Sequence, residues 1–368
     1  MANTNLKAAK AAKNDEFYTQ YHDIELEMNA YIAFNPDVFR DKTVLLPCDD
    51  PEWSNFTRYF AANFSTLGLR RLISTGYAPD SKKIKEGYTA SLFEMESPQF
   101  DPTKMQTHGK IYILDHDVTG DGRIDIEDLQ WKYLEGDGDF RSEEVTRLRD
   151  EADIIITNPP FSLFREFLAW IMEGEKKFVI IGNMNCITYK EVFPLIKANK
   201  IWLGIPFPGG NAYFRPAIKN EYTTGVYNEE TNLVKFRNCI WLTNIDHGRR
   251  HAFLPLMTMA DNLRYSKHKE LRGKSAYDHY DNYDAIEVPF TDAIPSDYDG
   301  VMGVPISFLD KYCPEQFEIL GIGLELADMS KIKAKLGKLN GGPRLYVERD
   351  GQLVRLYERV LIRKNLKS

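Results

Sequence analysis

Residues 152–171 read ADIIITNPPFSLFREFLAWI. The short, β-branched apolar run at 152–157 is typical of a strand that is buried on both faces of a parallel sheet. From Ser162 onward, apolar residues recur at the spacing of an amphipathic helix. The tetrapeptide Asn158–Phe161 is therefore predicted to lie on the loop at the carboxyl end of a strand, where open α/β sheets bind their ligands.

The tetrapeptide presents mainly hydrogen-bond acceptors. Pro159 and Pro160 fix the backbone and remove two N–H donors, so the Asn158 side-chain oxygen and the Pro159 carbonyl remain, with the Phe161 ring beside them. Two acceptors and a ring face suit a planar group that bears an NH2, such as adenine. The alternative is a Pro-Pro turn whose phenylalanine packs in the core, but the strand before it and the helix after it favour a ligand-binding loop.

The composition is that of a globular protein. The chain has 368 residues, enough for two domains with well-filled cores, and 43% of them are hydrophobic and 27% charged. No apolar run is long enough to cross a bilayer, and the amino terminus lacks the apolar core of a signal peptide. The four cysteines are widely spaced and form no CxxC pair. We therefore expect a cytoplasmic protein with reduced thiols and no membrane partner.

Seven mostly parallel strands are predicted for one sheet, with helices between the early strands as in a doubly wound α/β fold. Their positions are 43–46, 69–74, 131–134, 152–157, 177–182, 200–204 and 236–243, with an additional strand at 110–114. Polar loops follow four of them, at Asp49-Asp50, Ser74-Thr75, Asp139-Phe140 and Asn158–Phe161. Because such loops meet at one edge of a parallel sheet, the layout resembles that of S-adenosylmethionine-dependent methyltransferases.

The stretch 117–128 matches much of a calcium-binding loop, with oxygen-bearing side chains at positions 1, 3 and 5, glycine at 6 and an acid at 12. The candidate ligands are Asp117, Thr119, Asp121, Arg123 and Asp128. The last acid is Asp where an EF-hand has Glu, and the preceding segment is predicted to be a strand and not a helix. The alternative is the Gly-Asp-Gly turn of a hairpin. A calcium ion here would be structural and distant from the chemistry.

Residues 264–274 form a locally basic segment in a chain whose net charge is −7. Its five cations are Arg264, Lys267, Lys269, Arg272 and Lys274. Tyrosines lie within and after the segment, and basic and aromatic side chains on one loop suit nucleic acid, although a solvated surface loop would look the same. The negative total charge does not exclude DNA, because affinity depends on a local basic face.

Three parts are predicted along the chain. Residues 1–14 form a basic flexible arm, residues 15–245 a catalytic domain with an insertion at about 78–130, and residues 246–368 a DNA target-recognition region.

Four stretches carry a resemblance to the EcoRI family of adenine-specific DNA methyltransferases, and those at 185–193, 200–204 and 298–305 are also similar. The four read DEFYTQY at 15–21, CDDP at 48–51, GDGDFRS at 136–142 and NPPFSLF at 158–164. The resemblance extends from near Asp15 to the carboxyl terminus. NPPF is shared by many amino-group methyltransferases, whereas CDDP and GDGDFRS are much more specific. The order of cofactor loops, NPPF and recognition region resembles the gamma-type amino-methyltransferases.

The resemblance implies a Rossmann-like, S-adenosylmethionine-dependent enzyme of a restriction–modification system. It would methylate N6 of an adenine flipped out of double-stranded DNA, at a short palindrome such as GAATTC. It would act as a monomer or weak dimer, because methylating one strand per visit needs only one subunit. The implied cofactor-binding residues are Phe17, Tyr18, Thr19, Cys48, Asp49, Asp50, Asp139 and Phe140, and the implied catalytic residues are Asn158, Pro159, Pro160 and Phe161.

Within these sets, the resemblance implies particular roles. Residues 17–19 would line the methionine end of the cofactor, and the Asp139 carboxylate would accept a hydrogen bond from its adenine amine. Phe161 would stack on the flipped base. Trp241 is either a second cover for that base or a core side chain.

Two features depart from the broad methyltransferase pattern. The first-strand loop has no Gly-x-Gly, and Ser74-Thr75 lacks the acid that usually holds the cofactor ribose, a role that Asp49 or Asp50 could take. The NPPF chemistry would also suit RNA adenine, cytosine N4 or a protein glutamine amide, although the basic carboxyl-terminal region favours DNA. A calcium-stabilised, non-catalytic nucleic-acid-binding protein is a second alternative, which the intact Asn158–Phe161 argues against.

Overall fold

The computed structural model describes residues 17–48, 54–79, 95, 97–216, 226–332, 343–349 and 351–365. The predicted arm at 1–14 and two candidate cofactor residues, Asp49 and Asp50, lie outside the described residues. The chain divides into two compact units, Met1–Cys186 with Leu203–His247, and Ile187–Trp202 with Gly248–Ser368. None of the helices in the described ranges is long and apolar enough to span a membrane.

The strands of the described ranges are, in chain order, β1 Phe17–Thr19, β2 Thr43–Leu46, β3 Arg71–Gly76, β4 Lys110–Leu114, β5 Gln130–Tyr133, β6 Ile154–Thr157, β7 Lys177–Asn183, β8 Trp202–Leu203, β9 Asn211–Pro216, β10 Tyr227–Asn228, β11 Leu233–Arg237, β12 Cys239–Thr243, β13 Ile286–Glu287, β14 Met302–Pro305, β15 Phe317–Ile322, β16 Tyr346–Arg349, β17 Gln352–Arg355 and β18 Arg359–Lys364. The α-helices are α1 Tyr21–Phe34, α2 Asn55–Ala62, α3 Phe64–Leu67, α4 Glu143–Glu151, α5 Phe164–Glu173, α6 Phe193–Lys197, α7 Met259–Tyr265 and α8 Gly323–Leu326.

The main sheet has the strand order β5-β4-β3-β2-β6-β7-β12-β8. Strands β3, β2, β6 and β7 pair in parallel, whereas β4 is antiparallel to both β3 and β5, and β12 is antiparallel to β7. Five strands (β5, β3, β2, β6 and β7) therefore run in the same direction. The sheet has eight strands and not the predicted seven, because the additional strand at Lys110–Leu114 inserts between β3 and β5.

The centre of the main sheet is buried on both sides. All four residues of β2 and all four of β6 are buried, as strands covered on both faces require. Helix α2 begins after Ser54, whose hydroxyl accepts a hydrogen bond from the Phe56 N–H at 3.1 Å. Phe56, Tyr59 and Phe60 lie in the hydrophobic core together with residues of β2 and β6. This packing holds the carboxyl ends of the central strands in fixed positions.

A second sheet in the same unit has the order β1-β9-β11-β10, and its described pairs are antiparallel. The predicted single strand at 236–243 is divided between the two sheets, with β11 ending at Arg237 and β12 beginning at Cys239. Asn238 between them has a φ of 62°, a left-handed conformation that Asn tolerates better than most residues. Apolar residues continue on both sides of the break and are typical of one long strand, so no local pattern marks the break.

The other unit has its own small sheet, with the order β13-β14-β18-β15, and a hairpin of β16 and β17. Arg359 of β18 forms an ion pair with Glu287 of β13, with an Nη2–Oε1 distance of 2.7 Å, and the Tyr280 hydroxyl donates to the same carboxylate. Glu287 is 2% exposed. A buried charge is tolerated only when it is paired in this way.

The four cysteines are free thiols, and three of them, Cys186, Cys239 and Cys313, are buried. Burial raises the pKa of the Cys186 thiol and of the Cys239 thiol to about 12. These two thiols are therefore protonated and unreactive at neutral pH.

Candidate active site

The tetrapeptide Asn158–Phe161 directly follows β6, at the carboxyl end of this central parallel strand. Thr157, the last residue of β6, donates its hydroxyl proton to the Pro47 carbonyl at 2.6 Å. A short 3-10 helix, Phe161–Leu163, then leads into α5. The predicted strand, loop and helix are confirmed, and the segment after β2 is tied to the carboxyl end of β6.

The Asn158 amide is held at one end only. Its Nδ2 donates to the Phe17 carbonyl at 2.8 Å, whereas its Oδ1 is buried and has no hydrogen-bond partner. A buried acceptor without a partner costs on the order of 1–3 kcal/mol, so such atoms are rare unless a ligand or water satisfies them. The free oxygen is thus an acceptor available to a donor group of a ligand.

Phe161 is half-buried against an aromatic cluster formed with Phe17, Phe214 and Phe236. Its ring centroid lies 6.5 Å from Phe17, 6.0 Å from Phe236 and 6.5 Å from Phe214. The core packing that the sequence offered as an alternative therefore describes part of its environment. Because the side chain is not fully covered, a planar ligand still has access to it.

Trp241 is a core side chain. It is 2% exposed and stacks on Phe207, with ring centroids 5.3 Å apart. The suggestion that it covers a base is wrong, because β12 buries it within the sheet packing.

The three adjacent residues predicted to line the cofactor, Phe17, Tyr18 and Thr19, do not all lie on the same face of β1. Phe17 pairs with Pro216 and Thr19 with Phe214, whereas Tyr18 pairs with Arg215. Since side chains alternate across a strand, Phe17 and Thr19 face inward and Tyr18 faces the opposite side. Thr19 is 2% exposed and its Oγ1 has no hydrogen-bond partner, a second buried polar atom without a partner in the same unit.

Tyr77 joins two of the predicted cofactor loops, although it is not among the predicted cofactor residues. Its hydroxyl lies 3.7 Å from the Cys48 Sγ, and it interacts with the Phe140 backbone and the Asp139 charge. Burial raises the pKa of Tyr77 far above its ordinary value, so the hydroxyl stays neutral. Its position in the sequence could have indicated this role, because Tyr77 directly follows the carboxyl end of β3, as the other candidate loops follow their strands.

Cys48 and Asp139 both have constrained geometry. Cys48 has a φ of 66°, which is unusual for a residue other than Gly or Asn. Asp139 receives a two-point contact from Arg141, with an Nε–Oδ1 distance of 2.9 Å and an Nη2–Oδ2 distance of 2.6 Å. These hydrogen bonds hold the pKa of Asp139 below its usual range and keep it ionised.

Phe140 does not present its ring to a ligand. It is 0% exposed, and its ring packs edge-on against Phe167 at 5.0 Å and Trp170 at 5.6 Å. The predicted contact of Phe140 with a cofactor is therefore restricted to its backbone. The ring anchors the loop to α5 instead.

The model of the family described as adenine-specific methyltransferase EcoRI matches residues 5–365. The chain belongs to this family. It is 43% identical to the Type II methyltransferase M.EcoRI of Escherichia coli over 330 residues, which is 88% of this chain and 91% of that protein. It is 30% identical over 316 residues to M.MpnI of Mycoplasma pneumoniae, covering 85% and 83%. It is 29% identical over 367 residues to M.MgeORF184P of Mycoplasma genitalium, covering 97% of each. No solved structure matches the chain.

The predicted DNA-binding cations of this EcoRI-family chain are all exposed, but they are not equivalent. Lys267 Nζ lies 2.7 Å from Asp292, and Lys274 Nζ lies 2.6 Å from Asp278. Within the described ranges, Arg264, Lys269 and Arg272 have no ion pair with an acid. Two of the five are thus already neutralised by neighbouring carboxylates.

The calcium prediction is not supported. No group of three or more His, Cys, Asp or Glu side chains in the described ranges is arranged to hold a metal ion. Asp117 accepts from the N–H groups of Gly120 and Gly122 at 2.6 and 2.8 Å, and Asp128 accepts from those of Val118 and Thr119 at 2.8 and 2.9 Å.

The other candidate ligands do not change this result. Thr119 donates its hydroxyl to Asp117 at 3.3 Å, and Asp121 accepts from the Arg123 N–H at 2.8 Å. Residues 115–129 connect the antiparallel strands β4 and β5. The antiparallel pairing agrees with a hairpin, but its connection is much longer than the tight Gly-Asp-Gly turn of that alternative. The carboxylates serve backbone donors of this connection.

Proposed function

We propose that the protein transfers a methyl group from S-adenosylmethionine to N6 of an adenine flipped out of double-stranded DNA, as the modification enzyme of a restriction–modification system. The family assignment supports the reaction class. The observation that carries the proposal is the buried Asn158 Oδ1 without a partner, beside an Nδ2 that is engaged by the Phe17 carbonyl. The free acceptor at the end of β6 matches an amine substrate.

The residues present fit the cofactor. The free Thr19 hydroxyl lies on the strand whose Phe17 carbonyl binds Asn158, and Asp139 offers an ionised carboxylate after β5. Thr19 and Phe17 would hold the methionine end, and Asp139 would accept a hydrogen bond from the adenine amine. S-adenosylmethionine supplies an electrophilic methyl group when it is bound.

The chain positions the target amine and does not need to deprotonate it first. Asn158 Oδ1 and the Pro159 carbonyl accept the two N6 hydrogens, which favours a pyramidal nitrogen with its lone pair available. The N6 proton becomes acidic as the new bond forms, so positioning and electrostatics carry the rate. Phe161 supports the flipped ring on its accessible side, since the base cannot be reached inside a duplex.

The test is to incubate the protein with labelled S-adenosylmethionine and with duplex DNA, RNA or a protein extract, and to locate the label. We expect N6-methyladenine in the duplex. In Asn158→Ala we expect transfer to fall on the order of 10²- to 10³-fold, the loss typical of one oriented hydrogen-bonding group. The affinity for S-adenosylmethionine should change little. Label found in RNA, on cytosine or in protein would show that the enzyme has a different substrate.

Asn158→Asp is the matched control. It keeps an acceptor for the target amine but replaces the Nδ2 donor with an oxygen that faces the Phe17 carbonyl. Activity should lie between that of the wild type and that of the alanine variant. Full transfer to DNA by Asn158→Ala would rule out the mechanism.

A further inference from the structure

The small sheet β1-β9-β11-β10 has a face that the proposed reaction does not use. In the register of its paired strands, Tyr18 lies opposite Arg215, Tyr213 opposite Lys235, and Asn211 opposite Arg237. Side chains of opposed residues project to the same face of a sheet. We call the five residues Tyr18, Tyr213, Arg215, Lys235 and Arg237 the outer sheet face.

The opposite face of this sheet is part of the core. Phe17 and Phe214 are 6% and 0% exposed, and both belong to the hydrophobic cluster that includes the main sheet. The face that carries Phe17 and Phe214 is therefore the one that packs against the core. The outer sheet face is on the other side, where Tyr213 is 40% exposed and Arg215 and Arg237 are exposed.

The outer sheet face carries three cations and no acid. The four strands read FYT, NAYFRP, YN and LVKFR, without Asp or Glu. Within the described part of the chain, Arg215, Lys235 and Arg237 form no ion pair with an acid, and the Lys235 Nζ lies 5.9 Å from the centroid of the Tyr213 ring. Glu229 and Glu230 lie in the turn between β10 and β11, and they limit the positive surface at that end.

The outer sheet face begins beside the catalytic loop. Tyr18 follows Phe17, and the Phe17 carbonyl accepts the 2.8 Å hydrogen bond from Asn158. The backbone that orients the catalytic amide and the first aromatic side chain of this face therefore belong to adjacent residues of β1. A polyanion bound there would pass close to the position where the target base is held.

We propose that the outer sheet face binds the phosphate backbone of the DNA duplex next to the flipped nucleotide. This inference rests on the proposed action on DNA. Lys235 and Arg237, two residues apart on β11, are separated by about 7 Å along the strand, a distance suited to neighbouring phosphates. Arg215 adds a third charge on β9, and tyrosine hydroxyls are common donors to phosphate and sugar oxygens.

The experiment measures duplex affinity as a function of salt concentration for full-length Arg215→Gln/Lys235→Gln/Arg237→Gln. Each phosphate contact contributes about 0.9 to the slope of log K against log salt, so the triple variant should lose about 2 to 3 of that slope. The control Lys104→Gln/Arg123→Gln/Lys132→Gln removes three exposed cations of the same unit and should keep the wild-type slope. Affinity for S-adenosylmethionine should be unchanged in both.

Three milder variants test whether the effect of the triple variant comes from lost charge and not from impaired folding. The single changes Arg215→Gln and Arg237→Gln should each lower the slope by about 1, and Arg215→Lys/Arg237→Lys should retain it because the charges remain. An unchanged slope in the outer-face variants, with a wild type that still methylates the duplex, overturns the inference and leaves the proposed function standing. A wild type that methylates no duplex overturns both.

Discussion

The two ends of the Asn158 side-chain amide differ chemically, and the fold determines which of them is left without a partner. The Phe17 carbonyl accepts from Nδ2 at 2.8 Å, and the reversed amide would bring two acceptors face to face. The orientation with Oδ1 free is therefore the stable one. A single backbone carbonyl thus prepares the acceptor that the proposed reaction needs, before any substrate is present.

Arg141 is the residue that keeps the Asp139 carboxylate ionised. Its hydrogen bonds lower the pKa of Asp139, so in the wild type the ionised form, which can accept from the cofactor amine, persists as the pH falls. In Arg141→Ala the pKa of Asp139 should rise toward that of an ordinary aspartate, because the hydrogen bonds that lower it are lost. We expect the affinity of this variant for S-adenosylmethionine to fall between pH 5 and pH 4, while the wild-type affinity changes less.

Calorimetric titration of S-adenosylmethionine at pH 7, 5 and 4 measures this difference. Arg141→Lys is the control, because it retains a charge but not the two-point contact, and it should show an intermediate pH dependence. Identical pH profiles for all three proteins would show that Asp139 does not contact the cofactor amine.

At the scale of elements, α1 is joined to the segment after β8 through one buried acid. Glu27 is 1% exposed, accepts from the Tyr31 hydroxyl within the helix, and accepts from the Ile205 N–H at 2.7 Å. Gly204 lies so close that an added Cβ would collide with the Glu27 carboxylate. The helix is therefore positioned by a polar contact as well as by its apolar face.

Glu27→Ala should destabilise the fold by about 2–4 kcal/mol, because it removes both hydrogen bonds that the buried carboxylate accepts, from the Tyr31 hydroxyl and from the Ile205 N–H. Urea unfolding measures the change. Tyr31→Phe removes only one of the two hydrogen bonds, and it should cost about 1 kcal/mol. Equal stability of Glu27→Ala and the wild type would mean that the carboxylate does not hold α1 in place.

For the whole molecule, the net charge of −7 conceals local positive surfaces. The outer sheet face has three cations without acids, whereas the segment at 264–274 mixes free and paired cations. An ion-paired lysine must leave its carboxylate before it can bind a phosphate. DNA contact is therefore expected from the cations that form no ion pair with an acid of the described ranges.

Lys269→Gln/Arg272→Gln should weaken binding to the cognate duplex and to a shuffled duplex by the same factor, about 10-fold at moderate salt, as expected for phosphate contacts. Lys267→Gln/Lys274→Gln removes the same charge from ion-paired positions and should weaken binding less. Fluorescence anisotropy with both duplexes measures these affinities. The opposite ranking of the two variants would place the ion-paired lysines at the DNA.

Several elements could be predicted because their signals are local. Strand β2 was predicted at its observed bounds, and the loop Asn158–Phe161 was placed correctly after β6. The break at Asn238 and the burial of Phe140 could not be predicted, because they depend on which partner each segment packs against. The calcium pattern misled for a related reason, since the same spacing of acids serves backbone donors in a hairpin connection.

The sequence by itself determined the α/β class, the acceptor loop and the family, because apolar periodicity and short motifs are written in neighbouring residues. Only the tertiary structure decided that the Phe17 carbonyl meets Asn158 across 141 residues of chain, and that Tyr18 turns away from Phe17 and Thr19. Contacts between distant segments arise from the joint burial of many side chains. No local pattern specifies which of those contacts form.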